Sequence, residues 1–565
     1  MTFTGAPIKK ILLEDYKLNE HNLVIKTIYE CLKEQVNKAH HHIALEYDDE
    51  IFSWKDIDAI SDYVAVVYMR MGIKKGSHVG IWSTNTPNWI FTFFALIKLG
   101  AIPILLNSCY KEMELFKMLH YADVEYLCYG DGYDERKYED VLIKLNETKL
   151  ISKENCISIG QPEDGKWNGL KEIYEKPNEE ELKSLRIFSK EVSVFDTAAM
   201  LFTSGTSKMP KGVMLSHYSL VNNSLEIARS MQWTDEDKMC IAVPMYHCFG
   251  VTASLLASVH VGCSMYLLHY YRTIYIIKKI HKYKCTILNG VPTMFLAMVY
   301  NKKLADYDLS SIKSGIIAGS RISANEYQKI CDVFQFTHLQ TSYGQTETSP
   351  CITISVPDDS LEKKASSAGK KIANVELRIF DEKTKEECQI GEIGEIQAKG
   401  YNVMQRYYKM PEETKATILE DGWLCTGDLG YLNEDGYLYI TGRKTEMIIR
   451  GGENISPSEI EAIISVYPNV KNVKVIGVEA DVLQEEIVAC IISANNIEID
   501  KDGLVEYLKG KLSDYKVPKY ILQFDMLPLN GSGKVILKDL KEQALERINL
   551  INKEEQQCIL QSNMS

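Results

Sequence analysis

Apolar helical runs that stop at a glycine and restart as a short strand recur along this chain, and they narrow the fold more than any other feature. FALIKLGAIPILL turns over at Gly100, LLASVHVGCSMYLL at Gly262, IIKKIHKYKCTILNGVP ends at Gly290–Pro292, and SSIKSGIIAGS closes in the strand GIIAG. Helices alternating with short, continuously apolar strands predict an α/β domain with largely parallel sheets. In such sheets ligands gather at the carboxyl ends of the strands, where TSGTS (203–207), AGS (318–320) and TSYGQTE (341–347) would sit.

The 565 residues exceed one compact core, so two or more domains are expected. From about residue 354, VELRIF, GEIGEIQAKG and GYLYITG alternate apolar and polar residues between turn signals such as Asp435–Gly436. That alternation predicts a β-rich subdomain over 354–441. A smaller α/β pattern follows Gly442: the helix SPSEIEAIISVY, the strands VKNVKVIGV and EIVACIISA, and the helix DGLVEYLKGKL. We read a large N-terminal domain over 1–441, a small α+β C-terminal domain over 442–547 and a frayed tail over 548–565.

Hydrophobic residues at 45% and charged residues at 25% fit a soluble globular protein. The net charge of −13 excludes a general nucleic-acid binder, so any phosphate site must be made locally. The 14 cysteines show no CxxC pair, which points to reduced thiols and a cytoplasmic protein. The N-terminal MTFTGAPIKKILLEDYKLNE lacks a signal-peptide core. The stretch nearest to a membrane span, Trp89–Leu106, is interrupted by Lys98, Gly100 and Pro103. It predicts a helix from near Pro87 to Gly100 and then the strand AIPILL, with no transmembrane segment.

Chemistry concentrates in a few segments. TSGTSKMPKG, Thr203 to Gly212, places hydroxyls and glycines ahead of Lys208 and Lys211, between the strand VFDTAAMLF and the helix HYSLVNNSLEIARSM. Glycine lets backbone N–H groups approach anionic oxygens, hydroxyls donate further bonds, and lysine adds charge, so a polyphosphate can be wrapped there. It is not a Walker A loop. YGQTETSP offers Tyr343 as a stacking face beside Gly344, two threonines, and Glu347 as a candidate Mg²⁺ ligand. WLCTGD ends in Asp428, GRKTEMIIRGGEN carries Arg443 and Gly451–Gly452, and LPLNGSGKV places Lys534 after a glycine-rich turn.

Taken in order, these stretches resemble the adenylate-forming superfamily, particularly the acyl-CoA synthetases. PMYHCFG (Pro244–Gly250) and GYNVMQRYYKMPEETKATILEDGWLCTGDLG extend the likeness over nearly the whole chain. The resemblance implies an AMP-forming acid–thiol ligase that uses ATP, Mg²⁺ and CoA on a carboxylic acid, with PMYHCFG, RGGEN and GYNVM most like medium- to long-chain fatty-acid ligases. It further implies that Thr203, Ser204, Gly205, Thr206, Ser207 and Lys211 hold the β- and γ-phosphates. Gly319, Ser320, Tyr343 and Gly344 would line the adenine pocket, Thr346 would contact the α-phosphate, and Glu347 would bind the metal. Asp428 and Arg443 would bind the ribose, and His247 would border the acyl path. Lys534 would bridge the carboxylate and α-phosphate, Gly451, Gly452 and Glu453 would lie along the CoA path, and Thr445 would be the hinge.

The likeness departs at Ser207–Lys208, where Thr-Gly is usual, at the neutral Thr445, and at Glu479–Ala480 with Gln484–Glu485 on the expected CoA face. No acidic anchor for a substrate ammonium appears in YHCFG, which favours an acyl or aryl acid over an amino acid. Two other readings stand beside this one: transfer of the acyl group to the pantetheine arm of an acyl carrier protein, and a catalytically inactive acyl- or nucleotide-binding homologue.

Overall fold

The computed structural model describes residues 23–39, 41–147, 151–160, 168–169, 176–203, 210–320, 322–450, 453–480, 484–512, 516–529 and 534–562. The chain divides into two compact units. The first comprises Met1–Arg378, Gln397–Thr426 and Gly436–Leu438; the second comprises Ile379–Ile396, Gly427–Asp435 and Tyr439–Ser565.

The first unit is built on two large sheets. One has eight strands, with Thr197–Thr203 beside Ile102–Leu105, then His78–Trp82, Tyr126–Tyr129 and Cys156–Ser158, all parallel. The other has nine, and its centre runs His338–Gly344, Ser314–Ile317, Ile287–Leu288, Lys238–Ile241, Ser264–Leu267, again parallel. The main apolar core draws on both sheets and on the helices Trp54–Arg70, Pro87–Leu99 and His217–Ser230. A second core covers the other face of the nine-stranded sheet with Thr273–Tyr283, Pro292–Val299 and Ala324–Phe334, and a third covers the other face of the eight-stranded sheet with Glu112–Tyr121. Helices on both faces explain why the strands read as continuous apolar runs rather than alternating ones.

The helix–glycine–strand reading holds at its clearest instance. The helix Pro87–Leu99 opens with Thr86 accepting from Trp89 N and ends at Gly100 with φ 65°, the left-handed turn that glycine adopts without strain. Lys98 is fully buried on this helix, because its ammonium donates to Asp58 Oδ1 at 2.9 Å, Asp62 Oδ1 at 2.6 Å, Ser61 Oγ at 2.8 Å and the Asp58 carbonyl at 2.7 Å. This strongly apolar helix is therefore an interior one, clamped to Trp54–Arg70. Among the described residues no helix is long and apolar enough to cross a membrane.

Two expectations need correction. The sequence predicts strand, phosphate loop, helix; the structure inserts a second strand, Lys211–Ser216, which pairs antiparallel with Thr197–Thr203 before the helix His217–Ser230 begins. KGVMLS reads as a continuation of the loop because its lysine and glycine mask a short apolar run whose pairing is only supplied by the sheet. The tail does not fray at 547: the helix Leu537–Ser562 runs through it, with Leu540, Ala544 and Ile548 buried in an apolar cluster of the second unit.

Residues 375–443 form a five-stranded sheet, matching the alternation seen there. In the second unit, Glu453–Ile455, Ile448–Arg450, Gln484–Ser493 and Val470–Ala480 form an antiparallel sheet, and Tyr520–Gln523 adds a parallel strand to Gln484–Ser493. The helices Pro457–Ile464 and Lys501–Lys509 bury Ile460, Ile464, Leu504 and Leu508 on one face of it.

Candidate active site

In the first unit the candidate phosphate segment is held at both ends. Thr203 and Lys211 are paired partners across the antiparallel ladder, so the two ends of the segment are fixed side by side. Ser204, Gly205, Thr206 and Ser207 lie outside the described residues. Past the hairpin, Gly212 O accepts from Tyr408 N at 2.7 Å and Met214 O accepts from Gln405 N at 2.9 Å, which brings Arg406–Tyr407 alongside as an edge strand.

That edge strand carries a residue the sequence reading gave no role. The Lys211 ammonium lies 4.6 Å from the centroid of the Tyr407 ring, a cation–π distance. The Tyr407 hydroxyl donates to Glu347 Oε1 at 2.8 Å. Lys211, Tyr407 and Glu347 thus form one chain of contacts from the phosphate hairpin to the candidate metal ligand, with Tyr407 and Glu347 both buried. Only register places Tyr407 here: Val213 pairs with Tyr407 across the two strands, a relation invisible in RYYKM.

Glu347 itself sits in the short 3-10 turn Thr346–Thr348, just after the strand His338–Gly344. Three contacts set this turn. Gln345 N donates to Thr348 Oγ1 at 3.1 Å, Ser349 Oγ donates to the Asn402 carbonyl at 2.8 Å, and Met404 N donates to the Glu347 carbonyl at 2.8 Å. Gly344 is required by crowding, since a Cβ there would stand 1.8 Å from the Pro350 carbonyl oxygen. One Glu347 oxygen, Oε1, accepts from the Tyr407 hydroxyl. A lone carboxylate of this kind suits Mg²⁺, which binds through one or two carboxylates and substrate phosphates. Among the described residues no cluster of three or more His, Cys, Asp or Glu forms a self-sufficient metal cage.

Gly319 and Ser320 follow the neighbouring strand Ser314–Ile317 and are exposed, with Gly319 at φ 88°. Tyr343 is half-buried near the end of the adjacent strand. These residues and Thr346 all come from the carboxyl ends of parallel strands, as the sequence reading requires. His247 caps the turn Cys248–Gly250 in extended conformation. The segment before it is pinned by the buried Asn85, which accepts from Met245 N at 2.9 Å and donates to the Val243 carbonyl at 3.0 Å. Behind it, Gly250 packs where a Cβ would stand 2.1 Å from the Pro244 carbonyl oxygen, and a π-helical turn, Val251–Leu256, follows. Burial pushes the Cys248 thiol up to about 12, so the cysteine nearest His247 stays protonated and is no nucleophile.

In the second unit Asp428 and Arg443 meet: Arg443 Nε is 3.3 Å from Asp428 Oδ1, with the carboxylate mostly buried and the guanidinium half exposed. They stand on the strands Leu424–Leu432 and Leu438–Arg443. Thr445 lies in the 3-10 turn Lys444–Glu446, whose charged neighbours are paired, Lys444 with Glu382 and Glu446 with Lys474. Gly451 and Gly452 lie outside the described residues; Glu453 opens the strand Glu453–Ile455. Lys534 is exposed, and its backbone is set by the bridge between Leu529 and Val535 and by Ile536 N donating to the Pro528 carbonyl at 2.8 Å.

Known proteins match this arrangement along its length. The model of the AMP-binding enzyme family matches residues 32–408, and that of the AMP-binding enzyme C-terminal domain matches 459–534. The YngI protein of Bacillus subtilis is 35% identical over 545 residues, covering 94% of this chain and 99% of its own. The mitochondrial medium-chain acyl-CoA ligase ACSF2 of Rattus norvegicus is 30% identical over 550 residues, covering 94% and 89%. Among solved structures, ATP-bound MatB from Rhodopseudomonas palustris superposes with a TM-score of 0.80 at 26% identity, covering 92% of this chain and 99% of that one. The o-succinylbenzoate CoA synthetase MenE of Bacillus subtilis, solved with an acyl-adenylate intermediate, does so with a TM-score of 0.75 at 26% identity, covering 92% and 99%. With both family domains present in order, the chain belongs to the AMP-binding enzymes, the adenylate-forming superfamily, in its acyl-CoA synthetase branch.

Proposed function

We propose that this protein activates a carboxylic acid, of the medium- to long-chain fatty class, with ATP and passes the acyl group to the thiol of CoA. The carboxylate attacks the α-phosphorus of ATP, forming an acyl-adenylate and releasing pyrophosphate. The CoA thiolate then attacks the acyl carbonyl and AMP leaves with the bonding electrons. Both reactants of the first step are anions, so the site must screen charge in the transition state. Lys211 and the 203–207 segment take the β- and γ-phosphates, Thr346 the α-phosphate, and Asp428 with Arg443 the ribose. Lys534 joins the carboxylate to the α-phosphate, His247 borders the acyl path, and Gly451, Gly452 and Glu453 serve the second step. Mg²⁺ held by Glu347 would neutralise charge on the leaving pyrophosphate.

The observation that carries this reading is the Lys211–Tyr407–Glu347 chain, which joins a cation for phosphate to a carboxylate for metal within one buried cluster. A cytoplasmic setting fits the described cysteines, all of them free thiols. The test is acid-dependent exchange of radiolabelled pyrophosphate into ATP over an acid panel, followed by acceptor assays with CoA and with a purified acyl carrier protein. Exchange with fatty acids and thioester formation on CoA is the expected result. Transfer to the carrier alone moves the acceptor assignment, and no exchange with any acid leaves only a binding protein.

A further inference from the structure

Across the nine-stranded sheet, register aligns Leu267, Ile241, Asn289, Ile316 and Gln340 in one row. Ile241 pairs with Leu267, Cys240 with Leu288, Ile287 with Ser314 and Ile316 with Gln340. Alternation sends this row to the inner face: Leu267, Ile241 and Ile316 belong to the main core, whereas Leu288, Ile317 and Leu339 belong to the core on the other side. Two members of the row are amides, and they differ in one respect. Asn289 is fully used. Its Nδ2 donates to the Ala253 carbonyl at 3.1 Å and to Ser254 Oγ at 3.2 Å, tying down the π-helical turn behind His247, while its Oδ1 accepts from Ile316 N at 3.0 Å. Gln340 is fully buried as well, yet neither its Nε2 nor its Oε1 has a partner among the described residues.

An amide enclosed without partners is among the costliest arrangements a core can hold, and leucine or methionine would fill the same place in this row without that cost. A partner from outside the chain, a water or a ligand, would relieve that cost. Ser342, two residues on and on the same face, spends its hydroxyl on the Thr353 carbonyl at 2.9 Å, and Tyr343, Thr346 and Glu347 follow directly. Two residues back on that face, His338 Nδ1 is also buried without a partner. An acid with its carboxyl group at the Thr346 end and its tail along the inner face would meet Gln340 about 7 Å below Ser342, counting the strand rise.

We propose that Gln340 selects the tail of the acid, and that the preferred substrate is a carboxylic acid bearing a hydroxyl or carbonyl group about five to eight carbons from its carboxyl end. This rests on the acid-activating reading above. The carbonyl or hydroxyl oxygen accepts from Gln340 Nε2, and a hydroxyl can also donate to Oε1.

The experiment is pyrophosphate exchange with decanoate and with decanoates carrying one hydroxyl or oxo group at successive positions, on the full chain and on Gln340→Leu and Gln340→Met. The expected result is that one substituted isomer exceeds decanoate in kcat/KM by about tenfold or more. Both variants should bring that ratio to about one while leaving KM for ATP unchanged. Thermal melting of each variant guards against misfolding, and two replacements of different shape keep the test available if one fails to fold. Exchange on plain decanoate with a ratio insensitive to either variant overturns the assignment alone; Gln340 then faces an internal water. No exchange on any acid overturns the acid-activating reading itself and this one with it.

Discussion

Lys534 and Tyr407 show what a single side chain is asked to do here. Lys534 is exposed beside the Leu529–Val535 bridge, so removing its charge touches no core. Lys534→Ala should therefore lower pyrophosphate exchange by a few hundredfold, about 3–4 kcal/mol of transition-state stabilisation, without lowering the melting temperature. Thioester formation from supplied acyl-adenylate should survive; equal loss of both steps would refute the division of labour. Tyr407 acts through Glu347. Tyr407→Phe keeps the ring under Lys211 but removes the donor at 2.8 Å from Oε1. Hydrogen bonds to a charged acceptor are worth about 1.5–3 kcal/mol, so exchange should fall about tenfold or more. A Mg²⁺ titration should show a raised metal requirement, and an unchanged one would mean that Tyr407 only fills space.

At the scale of elements, two helices carry testable weight. Lys98 joins Pro87–Leu99 to Trp54–Arg70 through Asp58 and Asp62, all within the first unit. Lys98→Met would take the buried cation from Asp62 and leave Asp58 with only the half-exposed Lys33 at 2.6 Å, and breaking such a group typically costs up to about 3–5 kcal/mol. Urea denaturation should show that loss, and Asp58→Asn combined with it should recover part of the stability. The helix His217–Ser230 begins with a fully buried histidine whose Nδ1 accepts from Ile28 N at 3.3 Å. Burial removes water from the imidazolium and pulls His217 from 6.5 down to about 4. The folded protein keeps the ring neutral where the unfolded chain would protonate it. This stability is complete above pH 6.5 and is lost as pH falls toward 4, by about 3 kcal/mol in all. Denaturation midpoints measured between those values should decline, and His217→Gln should flatten that part of the decline.

For the whole molecule, the informative fact is that the second unit has cores of its own. Ile448, Ile460, Ile487, Leu504 and Leu508 make one, and Ile476, Val488, Leu522, Leu540 and Ile548 make another, all between residues 448 and 548. A chain of residues 442–565 expressed alone should show a cooperative thermal transition and dispersed amide resonances. A chain ending at 536 should lose the transition, because it lacks the helix that supplies Leu540, Ala544 and Ile548. A non-cooperative melt of the longer piece would show that these clusters do not suffice.

Much of this was legible beforehand, for reasons that are local. Gly100 and Thr86 delimit their helix by chemistry acting within a few residues, and apolar continuity marked the strands as buried on both faces. The phosphate segment and Glu347 stood out by residue type, and Asp428 and Arg443 took their expected roles from the likeness to the adenylate-forming superfamily. What the sequence could not state was pairing. Lys211–Ser216 becomes a strand only beside Thr197–Thr203, and Tyr407 reaches Glu347 only because an edge strand 60 residues away joins that ladder. The unequal fates of Asn289 and Gln340, one satisfied and one not, depend on which backbone groups lie across from each. Short-range pattern thus determined the elements, and the ordered motifs carried the likeness that implies the reaction, whereas contacts between residues far apart in the chain were decided by strand register, which no single segment encodes.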